Sequence, residues 1–353
     1  MLDFTSSRRV LIFGGTGSLG KALIKRLADA NTVAVYSRDE AKHWTIRNQM
    51  PTKRVTFMVG DVRDYERCKE AILSFRPNVV IIASALKQVD TCERSPDESI
   101  KTNVIGVQNI VKAVVDNYVY LGAISVLLVS TDKACEPVNV YGMCKALAEK
   151  IVTNELPQQH ATPHMFMCVR YGNVLESRGS IVPLFRHQAE FGEAFTITHS
   201  DMTRFLMPLD ERVDLIVTAI NHGLNGETWV PQLPSMKLQD LAEIFSETYN
   251  KPIKTIGVRP GEKLHELLVG NSESCRTYKK TAPGHEDSPT RGKEFWIIKP
   301  SSSTLAFDQQ MFTNSSQFNT LSKKELLEKL TKLDVIKCDL SKFVGRSIEE
   351  IDA

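Results

Sequence analysis

Short apolar runs recur at regular intervals through the first half of the chain. RVLIF (9–13), TVAVY (32–36), VTFMV (55–59), NVVIIAS (78–84), ISVLLVS (124–130) and MFMCVR (165–170) predict strands. Several are apolar almost throughout, the pattern of strands covered on both faces. Between them lie stretches with helical spacing of apolar residues, such as SLGKALIKRLADA (18–30) and KTNVIGVQNIVKAVVDN (101–117). Strand–helix alternation of this kind predicts an α/β fold, a Rossmann-type doubly wound parallel sheet. After Gly172 the rhythm shortens, with loops rich in Pro, Gly and Arg and helical patterns at 209–223 and 238–249. Residues 271–291 are polar and read as loop, FWIIK (295–299) as one more strand, and LSKKELLEKLTKL (321–333) as an amphipathic helix. Ser322 is the expected N-cap of that helix and Glu325 its capping-box partner. The expected organisation is a nucleotide-binding, catalytic unit over 1–175. A smaller α/β substrate-binding lobe and tail would follow over 176–353, some of its strands returning to the main sheet.

Composition narrows the class without choosing a chemistry. The 353 residues are 42% hydrophobic and 24% charged, ordinary for a globular protein. A net charge of +2 gives no reason to expect nucleic acid or an anionic membrane as partner. The seven cysteines show no C-x-x-C spacing, and no His pair or carboxylate cluster suggests a metal. Reduced thiols, no apolar leader and no run near the roughly 18 residues of a membrane span predict a soluble, cytoplasmic protein.

The first candidate site follows the first strand. GGTGSLG places Gly14, Gly17 and Gly20 at G-x-x-G-x-x-G spacing, where a strand turns into a helix. Backbone there can approach a pyrophosphate, and the helix start offers free N–H groups and a positive dipole end. Gly14, Thr16, Gly17, Ser18, Leu19 and Gly20 are the expected cradle. The second strand ends in Tyr36-Ser37-Arg38-Asp39. Ser37 and Arg38 stand where an NAD site would place a carboxylate, and an arginine there can receive a 2′-phosphate, which predicts NADP. The plainer alternative makes Arg38 a solvated helix-start residue. Asp61 and Val62, after the third strand, are placed to border the adenine, unless they form only a helix-entry loop.

The second candidate site is STDKACEPVNVYGMCK (130–145). Tyr141 and Lys145 lie at i and i+4, on one helix face. A tyrosine serves as general base near neutrality only if its pKa, ordinarily about 10, is lowered by a neighbouring cation such as Lys145. Lys145 could also hold a ribose. The hydroxyls of Ser130 and Thr131 end the preceding strand, where one can bond a substrate oxygen.

These motifs together resemble the extended short-chain dehydrogenase/reductases: the glycine turn, Tyr141-x-x-x-Lys145 and Thr102-Asn103-x-x-Gly106-x-x-Asn109. SRDE (37–40), DVRD (61–64), SALK (84–87), STDKA-x-x-P-x-N-x-YG (130–142), RYGNV-x-x-SRGS-x-V-P-x-F (170–185), MTRF (202–205) and RPGEKLHE (259–266) are similar to the polysaccharide-biosynthesis dehydratases. The narrower likeness is to inverting UDP-N-acetylglucosamine 4,6-dehydratases. It covers about residues 8–270.

The likeness implies a hydro-lyase that oxidises carbon 4 of a UDP-sugar, removes the carbon 5 proton, expels the carbon 6 hydroxyl and returns the hydride to carbon 6. Asp132 would be the acid that protonates the departing hydroxyl. Lys133 would be the carbon 5 base, if burial and nearby cations lower its pKa from about 10.4. Tyr141 would reprotonate carbon 5 from the opposite face. Without the likeness, Asp132 reads as a helix cap and Lys133 as solvated.

Ala83, Ser84, Ala85, Lys87 and Asn103 would contact NADP, which would be bound tightly and recycled. Lys87 could also reach a substrate phosphate. Arg178 and Arg259 would grip the diphosphate and nucleotide, with Asn173, Val182 and Glu262 beside them. Arg204 stands between a substrate role and a structural salt bridge, and His265 reads as structural. Three departures from the pattern concern the sugar side: Gln88 for a usual His (with Asp90 for Pro), Cys144 for Ser or Thr, and Leu206 for an aromatic. Dimer bundles are common in this superfamily, so a homo-oligomer is implied by analogy. A UDP-sugar 4-epimerase and a non-catalytic NADP-binding regulator are the rival readings. The Asp132–Lys133 pair opposes the first, and the presence of both Tyr141 and Lys145 opposes the second.

Overall fold

The computed structural model describes residues 7–50, 52–153, 163–175, 179–283, 290–301, 303 and 314–336. Its strands are β1 (Arg9–Phe13), β2 (Thr32–Ser37), β3 (Val55–Val59), β4 (Val79–Ile82), β5 (Ser125–Val129), β6 (Met165–Val169) and β7 (Asn173–Val174). There follow β8 (Phe195–Ile197), β9 (Thr203–Met207), β10 (Thr228–Pro231), β11 (Ser235–Lys237), β12 (Ile253–Thr255), β13 (Thr277–Thr281) and β14 (Glu294–Ile298). Nine of them form one sheet in the order β13-β14-β10-β6-β5-β4-β1-β2-β3. From β3 to β10 every pairing is parallel, and β14 and β13 close that edge antiparallel. The expected fold class, a doubly wound parallel sheet, is what the chain adopts.

Strand alternation builds the two cores. Val10 and Ile12 of β1 point to one face, where they meet Leu23, Ile24 and Leu27 of helix α1 (Ser18–Leu27) and, farther along, Trp229 and Ile297. Leu11 and Phe13 point to the other. There they join Cys68 and Ile72 of a helix over Tyr65–Phe75, Ile110 and Val114 of one over Gly106–Val115, and Ala148 and Val152 of one over Val140–Thr153. A third core lies in the second half. Phe185, Phe195 and Phe245 pack ring against ring there, and Leu326 and Leu330 of a helix over Lys323–Lys332 close it. The capping box at its start is present: the amide of Glu325 donates to Ser322 Oγ, and the Ser322 amide donates to Glu325 Oε2 at 2.8 Å.

Three features depart from the sequence reading. The stretch 271–291 contains a helical turn, Asn271–Ser274, and the strand β13, which pairs with β14 along its length. TYKKT reads as loop because an edge strand needs few apolar residues, and Lys279 leans into solvent toward Glu294. Thr228–Pro231, too short to register as a period, extends the main sheet beside β6. The helix expected over 101–117 opens with a π-helical turn, Lys101–Ile105, before running on as α-helix from Gly106.

Candidate active site

The sheet order reverses between β1 and β4, and a cleft of about 670 Å³ opens at the carboxyl ends of these strands. Its floor is the glycine turn. Gly14 has φ +82°, and a Cβ there would lie 2.5 Å from the Ser84 backbone. A Cβ at Gly20 would sit 2.1 Å from the Gly15 carbonyl oxygen. Both positions therefore require glycine, and the turn is drawn tight beneath the start of α1. Gly17 is the N-cap of α1 and supplies no side-chain partner for the first N–H groups. Those donors, at the positive end of the helix, face the cleft.

The strand ends supply the walls. Thr16, Ser37, Arg38, Asp61, Val62, Ala83, Ser84, Ala85 and Lys87 all line the cleft, as do Ser18 and Leu19. Thr16 and Ser37 hydroxyls lie 3.3 Å apart, and Ser37 Oγ also meets His43 Nε2 at 2.7 Å. Arg38 is half exposed and pairs with Asp61 at 3.6 Å. Asn103 does not reach the cleft. Fully buried on the π-turn, its amide group bonds the Leu86 N–H at 2.9 Å and the Leu86 carbonyl at 2.8 Å, so it fixes the 83–87 strand end from behind.

The second half of the cleft gathers the STDK segment. Thr131 begins a single turn of 3₁₀ helix, donates to Asp132 Oδ1 at 2.9 Å and accepts from the Lys133 amide. Asp132 does not cap a following helix. It is fully buried, and its Oδ2 has no partner among the described residues. Lys133 Nζ lies 3.1 Å from Asp132 Oδ1, 3.3 Å from Glu266 Oε1 and 3.4 Å from Asn173 Oδ1. Tyr141 and Lys145 lie in the same cleft, and Lys145 Nζ donates to the Val129 carbonyl at 2.7 Å. Asn139 caps the helix that carries them: its Oδ1 accepts from the Gly142 amide at 2.7 Å while its Nδ2 donates to the Gly261 carbonyl at 2.7 Å. One side chain thus holds the Tyr–Lys helix and the RPGEK loop together, bringing Arg259 and Glu262 to the cleft.

Electrostatics bear on two conditions of the sequence reading. The base role of Lys133 carries the condition that burial and nearby cations lower its pKa. Burial does oppose its charge, but the carboxylates of Asp132 and Glu266 outweigh burial and hold it above the ordinary lysine value. Tyr141 was expected to be lowered by Lys145; burial, with Tyr171 and Asp132 adding, instead pushes it above 10. Lys145 is the group that falls, to about 8, through burial against the pull of Glu149. Burial raises Asp132, with Lys133 opposing.

Not every expected residue is gathered. Val182, on the buried face of a helix over Ile181–Phe191, lies wholly in the third core. Arg204 is buried on β9, its guanidinium donating to the Thr203 carbonyl at 2.7 Å and lying 3.9 Å from Glu266. Neither lines the cleft. Arg178 lies outside the described residues. His265 Nδ1 meets Thr203 Oγ1 at 2.9 Å. Of the departures, Gln88 lines the cleft against Gly179, while Cys144 and Leu206 are buried behind it.

Two residues were missed. Glu266 ends a motif already noted, but its register beside Lys133 comes from the loop's path and has no local signal. Arg212 is 6% exposed and lines the cleft from a helix over Leu209–His222. It sits 5.8 Å over the Tyr171 ring, and its Nε and Nη2 are buried without a hydrogen-bond partner among the described residues. In LDERVD an arginine between acids reads as solvated. Buried, unpartnered groups are costly unless a ligand satisfies them. Ser84 Oγ and Ser130 Oγ are in the same condition on the same cleft. Glycine cradle, helix start, orphaned hydroxyls and a guanidinium with two unpartnered nitrogens fit a dinucleotide and its diphosphate.

Comparison with known proteins agrees with this geometry. Residues 10–283 match the family model described as polysaccharide biosynthesis protein. The chain is 35% identical over 332 residues to a protein named UDP-glucose 4-epimerase from Rickettsia prowazekii, covering 91% of this chain and 95% of the relative. Among solved structures it superposes on Pen from Bacillus thuringiensis with a TM-score of 0.84 at 29% identity, covering 95% of this chain and all of that one. The dTDP-glucose 4,6-dehydratase of Streptomyces venezuelae, solved with NAD, shares the fold at a TM-score of 0.64 and 19% identity, over 72% of this chain and 86% of that one. No described helix is long and apolar enough to cross a membrane. The chain belongs to the polysaccharide-biosynthesis branch of the extended short-chain dehydrogenase/reductases.

Proposed function

We propose that this protein is a nucleotide-sugar 4,6-dehydratase, a hydro-lyase acting on UDP-N-acetylglucosamine with inversion at carbon 5. The observation that carries the reading is the Asp132–Lys133 pair, set in one cleft with Thr131, Tyr141 and Lys145. Epimerisation at carbon 4 needs one acid–base group to move one proton. Elimination across carbons 5 and 6 needs a second base and an acid, and the pair supplies both types. NADP, when bound, supplies hydride acceptance from carbon 4 and its return to carbon 6. Tyr141 takes the proton of the carbon 4 hydroxyl, which Thr131 orients. A nicotinamide cation and the nearby Lys145 would draw down the phenol that burial otherwise raises. Lys133 removes the carbon 5 proton, and after hydride returns to carbon 6 Tyr141, holding the proton taken from the carbon 4 hydroxyl, gives one to carbon 5 from the opposite face. Asp132, which burial already favours as the acid, protonates the departing carbon 6 hydroxyl. Residues 1–175 serve as the cofactor-binding and catalytic unit, and 176–353 as the substrate lobe of a cytoplasmic homo-oligomer. Arg259 and Glu262 line the cleft and would meet the nucleotide, a role also proposed for Arg178.

The Rickettsia relatives favour a second reading, a UDP-sugar 4-epimerase on the same cleft. One experiment separates the two. The purified protein is incubated with UDP-N-acetylglucosamine in heavy water and the sugar protons are followed by NMR. A 6-methyl signal with deuterium at an inverted carbon 5 is expected. Conversion to the galacto isomer with carbon 6 intact would replace the dehydratase with the epimerase.

A further inference from the structure

We propose that Glu266 is a positioning residue: with Arg204 it forms a fixed counter-ion pair against which one proton moves between Lys133 Nζ and Asp132. This rests on the reading of Asp132 and Lys133 as the acid and base of elimination. It adds what that reading lacks, a way for a lysine bound by carboxylates to become a base.

The geometry is specific. Glu266 is 2% exposed and approaches Lys133 from behind, without lining the cleft. A single oxygen, Oε1, faces both cations: Lys133 Nζ at 3.3 Å and Arg204 Nε at 3.9 Å. Among the described residues its Oε2 is buried without a partner, as is Oδ2 of Asp132. The loop is held by the Glu266 amide, which donates to Ser315 Oγ at 2.8 Å. Arg204 is tethered by its bonds to the Thr203 and Leu264 carbonyls.

Charge conservation then limits the options. Asp132, Glu266, Lys133 and Arg204 are two anions and two cations. Moving a proton from Lys133 Nζ to Asp132 breaks one N–H bond and makes one O–H bond. The ammonium becomes an amine and the carboxylate an acid, so the four-group charge stays at zero and Glu266 remains paired with Arg204. The products are the base and the acid that elimination requires, both facing the cleft. A proton passed to Glu266 instead would sit on an acid behind the lysine, out of reach of substrate. Among the described residues, the other titratable groups facing the quartet are Lys263, which donates to the Cys135 carbonyl at 2.6 Å and bears on Glu266, His265 beside Arg204, and Tyr141 beside Asp132. Lys263 reinforces the anionic state of Glu266.

The titration of Lys133 tests this without any turnover. Trace acetylation of the intact protein, read peptide by peptide by mass spectrometry over about pH 7 to 12, gives the apparent pKa of the Lys133 amine. Glu266→Gln removes an anion and should lower it by about one unit or more; Arg204→Gln removes a cation and should raise it. Glu266→Asp keeps the charge and should stay near wild type, which provides the opposing arm if Arg204→Gln does not fold. NADPH affinity and melting temperature serve as controls for an intact fold. No shift in Glu266→Gln, or shifts of one sign in both charge-removing variants, would overturn the proposal. The base limb of the pH–rate profile for dehydration should move in the same directions. Titration shifts without any dehydration by wild type would retire the reaction assignment while upholding the counter-ion pair.

Discussion

At the residue scale, most of the chemistry rests on side chains whose charge burial penalises. Lys145 shows the sign of the effect. Its amine falls from 10.5 to about 8 in the folded protein, so between these values the unfolded chain holds more protons. In the cofactor-free protein its contribution therefore penalises folding fully below about pH 8 and is relieved as pH rises toward 10.5. Lys145→Met should remove that pH-dependent penalty, worth about 3 kcal/mol at neutrality, in denaturant titrations at paired pH values. Arg212 leads to a split outcome. Arg212→Leu takes out of a buried position a cation that has Tyr171 beside it but no carboxylate partner among the described residues, so the free protein should melt at the same or a higher temperature. Cofactor affinity, read by NADPH fluorescence, should fall about tenfold or more as a charge-assisted bond to phosphate is lost. A parallel loss of stability and affinity would make Arg212 a structural residue only. Tyr141→Phe should leave NADPH binding unchanged and cut turnover by about 100-fold or more.

At the element scale, the Tyr–Lys helix is fixed by a buried ion network. Arg170, at the end of β6, is chelated by Glu149 at 2.5 and 3.1 Å and by Glu273 at 2.6 and 2.9 Å, and also donates to the Leu268 carbonyl. Three elements are locked together here: the helix over Val140–Thr153, the sheet, and the turn Asn271–Ser274. Arg170→Met would strand two buried carboxylates and should cost about 3–5 kcal/mol in urea unfolding. Glu273 gives the network an acid limit. Burial would raise it, but Arg170 brings it from 4.5 down to about 2. Its stabilisation is complete above pH 4.5 and drains as pH falls toward 2, so Glu273→Gln should flatten that part of the stability curve. The local sequence hides this network, because its members are far apart in the chain.

At the scale of the whole molecule, the cleft exists because the sheet reverses its order between β1 and β4 and because loops from the second half close over that point. The glycine turn, the 83–87 strand end, the STDK segment and the RPGEK loop arrive from four separate places in the chain. A ligand that fills such a site stabilises the whole fold in proportion to its occupancy, by about 2.7 kcal/mol at a hundred times Kd. With Arg38 at the cleft rim, NADP should raise the melting temperature more than equal NAD, and Arg38→Glu should reverse that order. Equal shifts for both cofactors in wild type would remove Arg38 from a selective role.

The sequence alone determined the strand–helix rhythm of the first half, the glycine turn and the Tyr141–Lys145 helix. Each is written in local periods or spacings that the backbone must obey. Cleft positions such as Thr16, Ser37, Asp61 and Ala83 were legible for the same reason, since they follow directly on strand ends. Only the tertiary structure decided the charges. Whether Lys133 is lowered or raised depends on Glu266, far along the chain, and on how deeply both are buried. It also decided that Arg204 and Asn103 are held behind the cleft and that Val182 is turned into the third core, since which side of an element faces a site is fixed by packing partners distant in sequence. Edge strands such as Thr277–Thr281 escaped the reading because pairing, not composition, makes them strands.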